Sequence, residues 1–177
     1  LGLRAYGYVE SGMTFRMTGP SPNPQNKLFL RGFETRRPNN LLLNQLNFTL
    51  DRPVDTSKQF DLGGRFDFMY GTDCKYYHSL GMFDTNQLEQ NVNYDIPVGY
   101  GEMWIKTGGA GTGFDIIFGK WYTTIGAETA YAPANWLYSR SLLNVFAEPA
   151  EHTGLKVAYQ FDPNNSVYLG VVRGWDQ

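Results

Sequence analysis

The sequence predicts an all-β fold: an antiparallel, up-and-down sheet forming part of a transmembrane β-barrel. Three observations predict it. Apolar and polar residues alternate with period two in seven separate segments. The connections between those segments are long and short in strict turn. Aromatic residues gather near the segment ends, on the apolar side. Residues 1–177 read as a single β-barrel segment of about seven strands.

Taken in order, residues 3–16 place Leu3, Ala5, Val9, Met13 and Phe15 on one face and Arg4, Glu10, Thr14 and Arg16 on the other. Residues 42–52 set Leu42, Leu46, Phe48 and Leu50 against Gln45, Asn47, Thr49 and Asp51. The cleanest alternation is in residues 60–70, where Phe60, Leu62, Phe66, Phe68 and Tyr70 oppose Asp61, Arg65 and Asp67. Residues 98–106 are weaker, with Met103 and Ile105 between Glu102, Trp104 and Lys106, and with Gly99 and Gly101 specifying little. Residues 113–122 put Phe114, Ile116 and Phe118 opposite Asp115. Then Leu155, Val157, Tyr159 and Phe161 alternate with Lys156, Gln160 and Asp162, and Val167, Leu169 and Val171 form the last apolar face. No long helix is expected, although residues 139–147 suit a turn or two of one.

The long connections fall near 17–41, 71–97 and 123–153, and the short ones at 53–59, 107–112 and 163–165. Long structureless loops are uncommon in a compact soluble domain. Short turns at one end and long loops at the other are the pattern of an outer-membrane barrel. A soluble β-sandwich also alternates, and it is the plainer reading. Against it stand strands of about ten residues, longer than the usual five or six and matched to the tilted span of a bilayer. Phe60, Phe114 and Phe161 would form one aromatic girdle, and Phe15, Tyr70, Tyr122 and Trp175 the other. Strict parity puts Lys120 and Arg173 on the apolar faces, either snorkelling to head groups or displaced by a bulge.

Composition narrows the function classes. Of 177 residues, 42% are hydrophobic, which excludes a disordered chain. The 15 basic residues are scattered among 17 acidic ones, so a nucleic-acid partner is not expected. A single cysteine excludes a disulfide scaffold and a cysteine-based zinc site. No apolar run is long enough for a transmembrane helix, a criterion that does not apply to barrel strands. No basic stretch followed by an apolar one opens the chain, so no signal peptide is expected, and the chain reads as processed or as part of something longer.

Catalysis finds little support. Ser139, Ser141 and His152 are the residue types of a serine hydrolase, but no Gly-x-Ser-x-Gly elbow occurs. Asp73, Cys74 and His78 match no standard metal spacing. The glycines at 108, 109 and 111 lack the Lys-Ser and the helix of a phosphate loop, so they read as a turn. Cys74 reads as an isolated thiol, and the Asn-Phe-Thr sequon at Asn47 falls within a strand. No catalytic residue, no metal ligand and no cofactor is assigned.

Several strings carry a resemblance. They are Arg37-Pro38-Asn39-Asn40-Leu41-Leu42-Leu43-Asn44-Gln45 and Asp61-Leu62-Gly63-Gly64-Arg65-Phe66-Asp67, the latter with Tyr70-Gly71-Thr72-Asp73. Further on come Gly119-Lys120-Trp121-Tyr122-Thr123-Thr124-Ile125-Gly126, Tyr138-Ser139-Arg140-Ser141, His152-Thr153-Gly154 and Arg173-Gly174-Trp175-Asp176. In this order and spacing they resemble the bacterial outer-membrane β-barrel porins of the OmpL-like group, from the first strand to the last residue. Trp121, Ala127 and Cys74 depart from the pattern. Members of the group are about twice this long, so the resemblance implies the N-terminal portion of a larger barrel.

The implied function is passive diffusion of small hydrophilic solutes and ions across a bacterial outer membrane, without enzymatic activity. The expected surroundings are outer-membrane lipid, the solutes themselves, and a homo-oligomer or a surface-layer partner. With the apolar faces toward lipid, the pore-lining candidates are Asp51, Asp61, Arg65, Asp67, Glu102, Lys106, Asp115, Lys156 and Asp162. Their acid excess points to weak cation preference, unless the charges are merely paired within the wall. The aromatic-rich loop at 123–153 is the candidate constriction, with Arg140, Glu148, Glu151 and His152 as its polar groups. The alternative function is a plugged structural or adhesive barrel whose long loops bind a surface layer or partner protein.

Overall fold

In the computed structural model, residues 2–15, 39–83, 92–109 and 111–177 are described. Seven strands form one sheet in the order β1-β2-β3-β4-β5-β6-β7, every neighbouring pair antiparallel. They are β1 (Arg4–Gly12), β2 (Leu42–Arg52), β3 (Phe60–Gly71), β4 (Asn93–Lys106), β5 (Gly113–Tyr122), β6 (Glu151–Asp162) and β7 (Asn165–Val172). One helix, α1 (Leu142–Phe146), and single 3₁₀ turns at Asp73–Lys75 and Ala132–Ala134 are the only helical elements among the described residues. The sheet is not closed: among the described residues, the outer edges of β1 and β7 have no ladder partner. Residues 17–38 and 84–91 of the expected long loops, and Arg16, Arg37 and Pro38, lie outside the described residues.

The two faces of the sheet are chemically opposite, and the polar one is the covered one. On β2 and β3, Leu46, Phe48, Leu62, Phe66, Phe68 and Tyr70 are exposed. Their neighbours Gln45, Asn47, Thr49, Asp51, Asp61 and Asp67 are buried. A water-soluble sheet does the reverse, because apolar burial drives its folding. Directly opposed residues of an antiparallel pair share a face, and Tyr8↔Asn47, Thr49↔Asp67, Arg65↔Tyr100 and Trp104↔Asp115 carry the polar face across five strands.

Several boundaries differ from expectation for local reasons. β1 ends at Gly12 and not near residue 16, although Asn39 N still donates to Thr14 O at 2.8 Å. β4 begins at Asn93, five residues before the expected Val98. Pro97, the end of the expected 71–97 connection, lies inside the strand where the register shifts: Asp67 opposes Val98 and Met69 opposes Asp95. Two residues therefore stand opposite Phe68, a β-bulge, where a missing amide hydrogen is tolerated. β6 begins at Glu151, so Glu151 and His152 are strand residues paired with Tyr122 and Trp121, not loop residues. The short helix expected within 139–147 is present as α1, its N-cap Ser141 accepting from Asn144 N.

The end of β5 departs from strict alternation. Gly119 has φ +135°, and a Cβ there would fall 2.3 Å from the Gly99 carbonyl oxygen. Beyond this kink Lys120 is buried beside Glu151 and does not join the exposed apolar face. Tyr122 is displaced from the outer girdle as well, its ring lying 6.0 Å from the Arg65 guanidinium on the polar face. The other expected girdle residues, Phe15, Phe60, Tyr70, Phe114, Phe161 and Trp175, are exposed. At the short-turn end Phe114 and Tyr159 are 4.8 Å apart, and Tyr159 and Phe161 5.0 Å. At the long-loop end Tyr94 packs on Phe83 at 5.1 Å and stacks on Phe68 at 6.4 Å.

Candidate functional site

The candidate site is the polar face and the two loops that fold onto it. Near the short turns the wall charges neutralise one another. Asp51 pairs with Arg4. Asp61 accepts from Arg52 Nη2 at 3.1 Å, Lys58 Nζ at 3.4 Å and the Asp55 amide at 2.8 Å. Lys106 and Asp162 are the last residues of β4 and β6, and their side chains bond to the turns. The Lys106 ammonium donates to Ser57 O at 3.3 Å, and Asp162 Oδ1 accepts from the Asn164 and Asn165 amides at 2.8 and 3.0 Å. In the same turns, hydrogen bonds from the Ser57 hydroxyl and amide hold the Asp55 carboxyl below the usual carboxylate range.

Further along the wall, Arg65 grips Asp67 through two parallel bonds, Nε to Oδ1 at 2.8 Å and Nη2 to Oδ2 at 2.7 Å. This fork is the strong geometry for a guanidinium and a carboxylate. Glu102 and Asp115 are different. They lie one step apart diagonally on the same face of β4 and β5, with Lys156 of β6 on that face beyond them. Among the described residues, no ion pair within 4.0 Å is formed by either carboxylate. Lys156 instead sits over the Trp121 ring at 5.7 Å. Thus the structure brings Glu102, Asp115 and Lys156 together and sets Arg65 and Asp67 apart as a closed pair.

The loop 123–150 leaves β5 and crosses the polar face to β1 and β2. Tyr131 packs edge-on against Tyr8 at 5.0 Å and lies 5.7 Å from the Arg65 guanidinium. Tyr138 Oη accepts from Asn44 Nδ2 at 2.9 Å. Its ring fills the space above Gly12, where a Cβ would fall 2.4 Å from it. Arg140 is buried, Nε donating to Tyr77 Oη at 3.2 Å and Nη1 to the Leu137 and Tyr138 carbonyls. Burial pushes the Tyr77 hydroxyl well above its ordinary pKa. Glu148 is buried against Gly126 inside the loop. His152 sits at the strand end, its Nε2 3.1 Å from Thr123 Oγ1.

The residues that hold the loops down are mostly ones the charge pattern does not single out. Gln45, fully buried on β2, donates from Nε2 to Asp73 Oδ2 at 2.8 Å and to Ala130 O at 2.9 Å. Its Oε1 accepts from Tyr8 Oη and from the Ala132 amide. One neutral amide therefore ties β1 and both inward loops together. A second anchor is the buried pair Lys120–Glu151, to which Ser79 Oγ donates at 2.6 Å. A third is Asp176, whose carboxylate accepts from Ala150 N at 2.7 Å and whose carbonyl accepts from Leu80 N at 2.9 Å. Gln45 is legible as an inward residue of β2, but nothing local marks its partners.

Among the described residues, no group of three or more His, Cys, Asp or Glu side chains is placed to hold a metal ion. The Asp73–Cys74–His78 stretch gives none, and burial, with Asp95 and Asp73 nearby, holds the Cys74 thiol far above its ordinary pKa. Comparison with the curated proteins and with the solved structures returns no match. A family model described as "Putative beta-barrel porin-2, OmpL-like" matches residues 2–177. With an inside-out antiparallel sheet, girdled by aromatic residues and matched over all but its first residue, the chain belongs to this OmpL-like β-barrel porin family.

Proposed function

We propose that the chain forms part of the wall of a bacterial outer-membrane porin that passes small hydrophilic solutes and ions by diffusion. The observation that carries this reading is the inverted sheet: bare apolar side chains on one face, buried polar ones on the other. Lipid satisfies the first face and a wet lumen the second. The loop 123–150, laid across the polar face, narrows the passage, with Arg140 and Glu148 buried in its fold. The wall charges bias which ions pass, and diffusion needs no cofactor or catalytic group.

The docking of both loops by Gln45 favours a second reading, a barrel plugged by its own loops that serves as a structural or adhesive element. Single-channel recording of the full-length protein in a planar bilayer separates the two. Discrete conductance steps are expected for the porin. A barrel that inserts and stays silent overturns the pore and leaves the plugged barrel.

A further inference from the structure

The loop 123–150 has two sides. One is docked on the wall through Ala130, Tyr131 and Tyr138. The other is bare and apolar. Trp136 is 99% exposed, and Leu137, Leu142, Leu143 and Phe146 are exposed with it. The helix α1 divides the same way, with Val145 packed against Tyr77 and Ala130 while Leu142, Leu143 and Phe146 are left uncovered. An apolar patch of this kind on one loop marks a contact surface.

Its position says what the contact is. The loop is tied near its start to β7, where Tyr168 Oη donates to Thr124 Oγ1 at 3.1 Å, and further on to β1, where Tyr138 covers Gly12. It therefore runs between the two strands whose outer edges are unpaired. The polar face of β2 and β3 is buried, whereas every residue of β7 is exposed. Trp136 and Leu137, both uncovered, immediately precede Tyr138, the residue packed on the open-edged strand β1.

We infer that this apolar side is the docking face for the inner surface of the strands that complete the wall, so that the loop spans the lumen from wall to wall. The inference rests on the reading of the chain as part of a barrel pore. The expected partner surface resembles the one already docked: small and aromatic side chains pointing inward, as Gly12 and Tyr8 do. Solutes then pass beside the strap and not through a single central opening.

The test uses the full-length protein in its native membrane, with Trp136→Cys and, separately, Leu143→Cys. The buried Cys74 supplies the unlabelled background. A bulky, membrane-impermeant maleimide is added to cells and to the detergent-purified barrel, with urea-unfolded protein as the reference. Labelling about a hundredfold slower than in the unfolded chain is expected at both positions in both preparations. Heat-modifiable migration on a gel identifies folded barrels, and Leu143→Cys carries the test where Trp136→Cys does not fold. Rapid labelling in a folded, conducting barrel overturns the docking and leaves the pore standing. Protection in cells that is lost on purification assigns the patch to an external partner and also overturns it. Protection in a barrel that never conducts supports the docking while overturning the open pore.

Discussion

Lys120 and Glu151 meet at 2.8 Å on neighbouring strands, each almost wholly out of water, and Ser79 of the β3–β4 loop completes the contact. Removing one member of a buried ion pair leaves an uncompensated charge and costs about 3–5 kcal/mol. Lys120→Met is therefore expected to destabilise the folded barrel by that order, read as a lower urea midpoint. Lys120→Met combined with Glu151→Gln is expected to recover much of it. A double variant no more stable than the single one would show that the pair does not hold the loop.

Gln45 is expected to act as a clamp. Gln45→Ala leaves the buried Ala130 carbonyl and the Tyr8 hydroxyl without their partner, a loss of about 1–3 kcal/mol. The measurable result is faster protease cleavage within 123–150 and a larger, noisier conductance. Gln45→Glu keeps the acceptor but faces Asp73, so it is expected to release the loops at least as much.

Ion preference is expected to rest on few residues. Asp51, Asp61 and Asp67 each have a basic partner and contribute little net potential. Among the described residues, Glu102 and Asp115 have none within ion-pair distance. Glu102→Gln with Asp115→Asn is expected to reduce the cation preference, read as a reversal potential moving toward zero in a salt gradient. Removing a whole pair, Arg4→Gln with Asp51→Asn, should leave it nearly unchanged. Equal effects from both changes would refute this division of the wall charges.

Tyr77 gives the docked loops an alkaline limit. Its folded pKa is raised by burial, so the docked state favours the neutral phenol. Below about pH 10, where a released tyrosine is also neutral, the docking is fully present. Above that, the released state ionises first and docking weakens with rising pH. Proteolysis of the 123–150 loop is expected to accelerate between about pH 10 and 11. Tyr77→Phe should abolish that acceleration, whatever it does to the baseline rate.

Gly119 is expected to tolerate no side chain. Gly119→Ala adds a Cβ at 2.3 Å from the Gly99 carbonyl oxygen and occupies a φ of +135°. A strained backbone position of this kind costs about 1–3 kcal/mol, and the clash adds to it. Reduced yield of the heat-modifiable form is the readout. Gly101→Ala, which meets nothing within 4 Å, is the matched control.

The strands were legible wherever nearest-neighbour alternation is unbroken. On β2 and β3, reading Leu46, Phe48 and Phe66 against Asn47, Thr49 and Asp67 assigns both faces directly. Legibility failed where the backbone departs from a plain ladder. Pro97 reads as an end because the bulge opposite Phe68 is a property of the pair, not of one strand. Lys120 and Tyr122 change sides because of a glycine dihedral angle. The aromatic content of the 123–150 loop calls for a surface but leaves open the inner wall or a partner, and the contact of Tyr131 with Tyr8 identifies the wall. The loop's attachment is not legible, because Gln45 reaches partners 28 and 85 positions away. The family assignment spans the same residues as the resemblance carried by the motif strings.

The strand order has an arithmetic consequence. With seven strands alternating in direction, β1 and β7 run the same way. Brought together, they would pair in parallel. So would β7 of one copy and β1 of a second copy inserted with the same polarity. An exposed ladder edge is not tolerated in lipid. A wall that stays antiparallel all the way round therefore takes an odd number of further strands between β7 and β1, giving an even total, the rule for single-chain bacterial outer-membrane barrels.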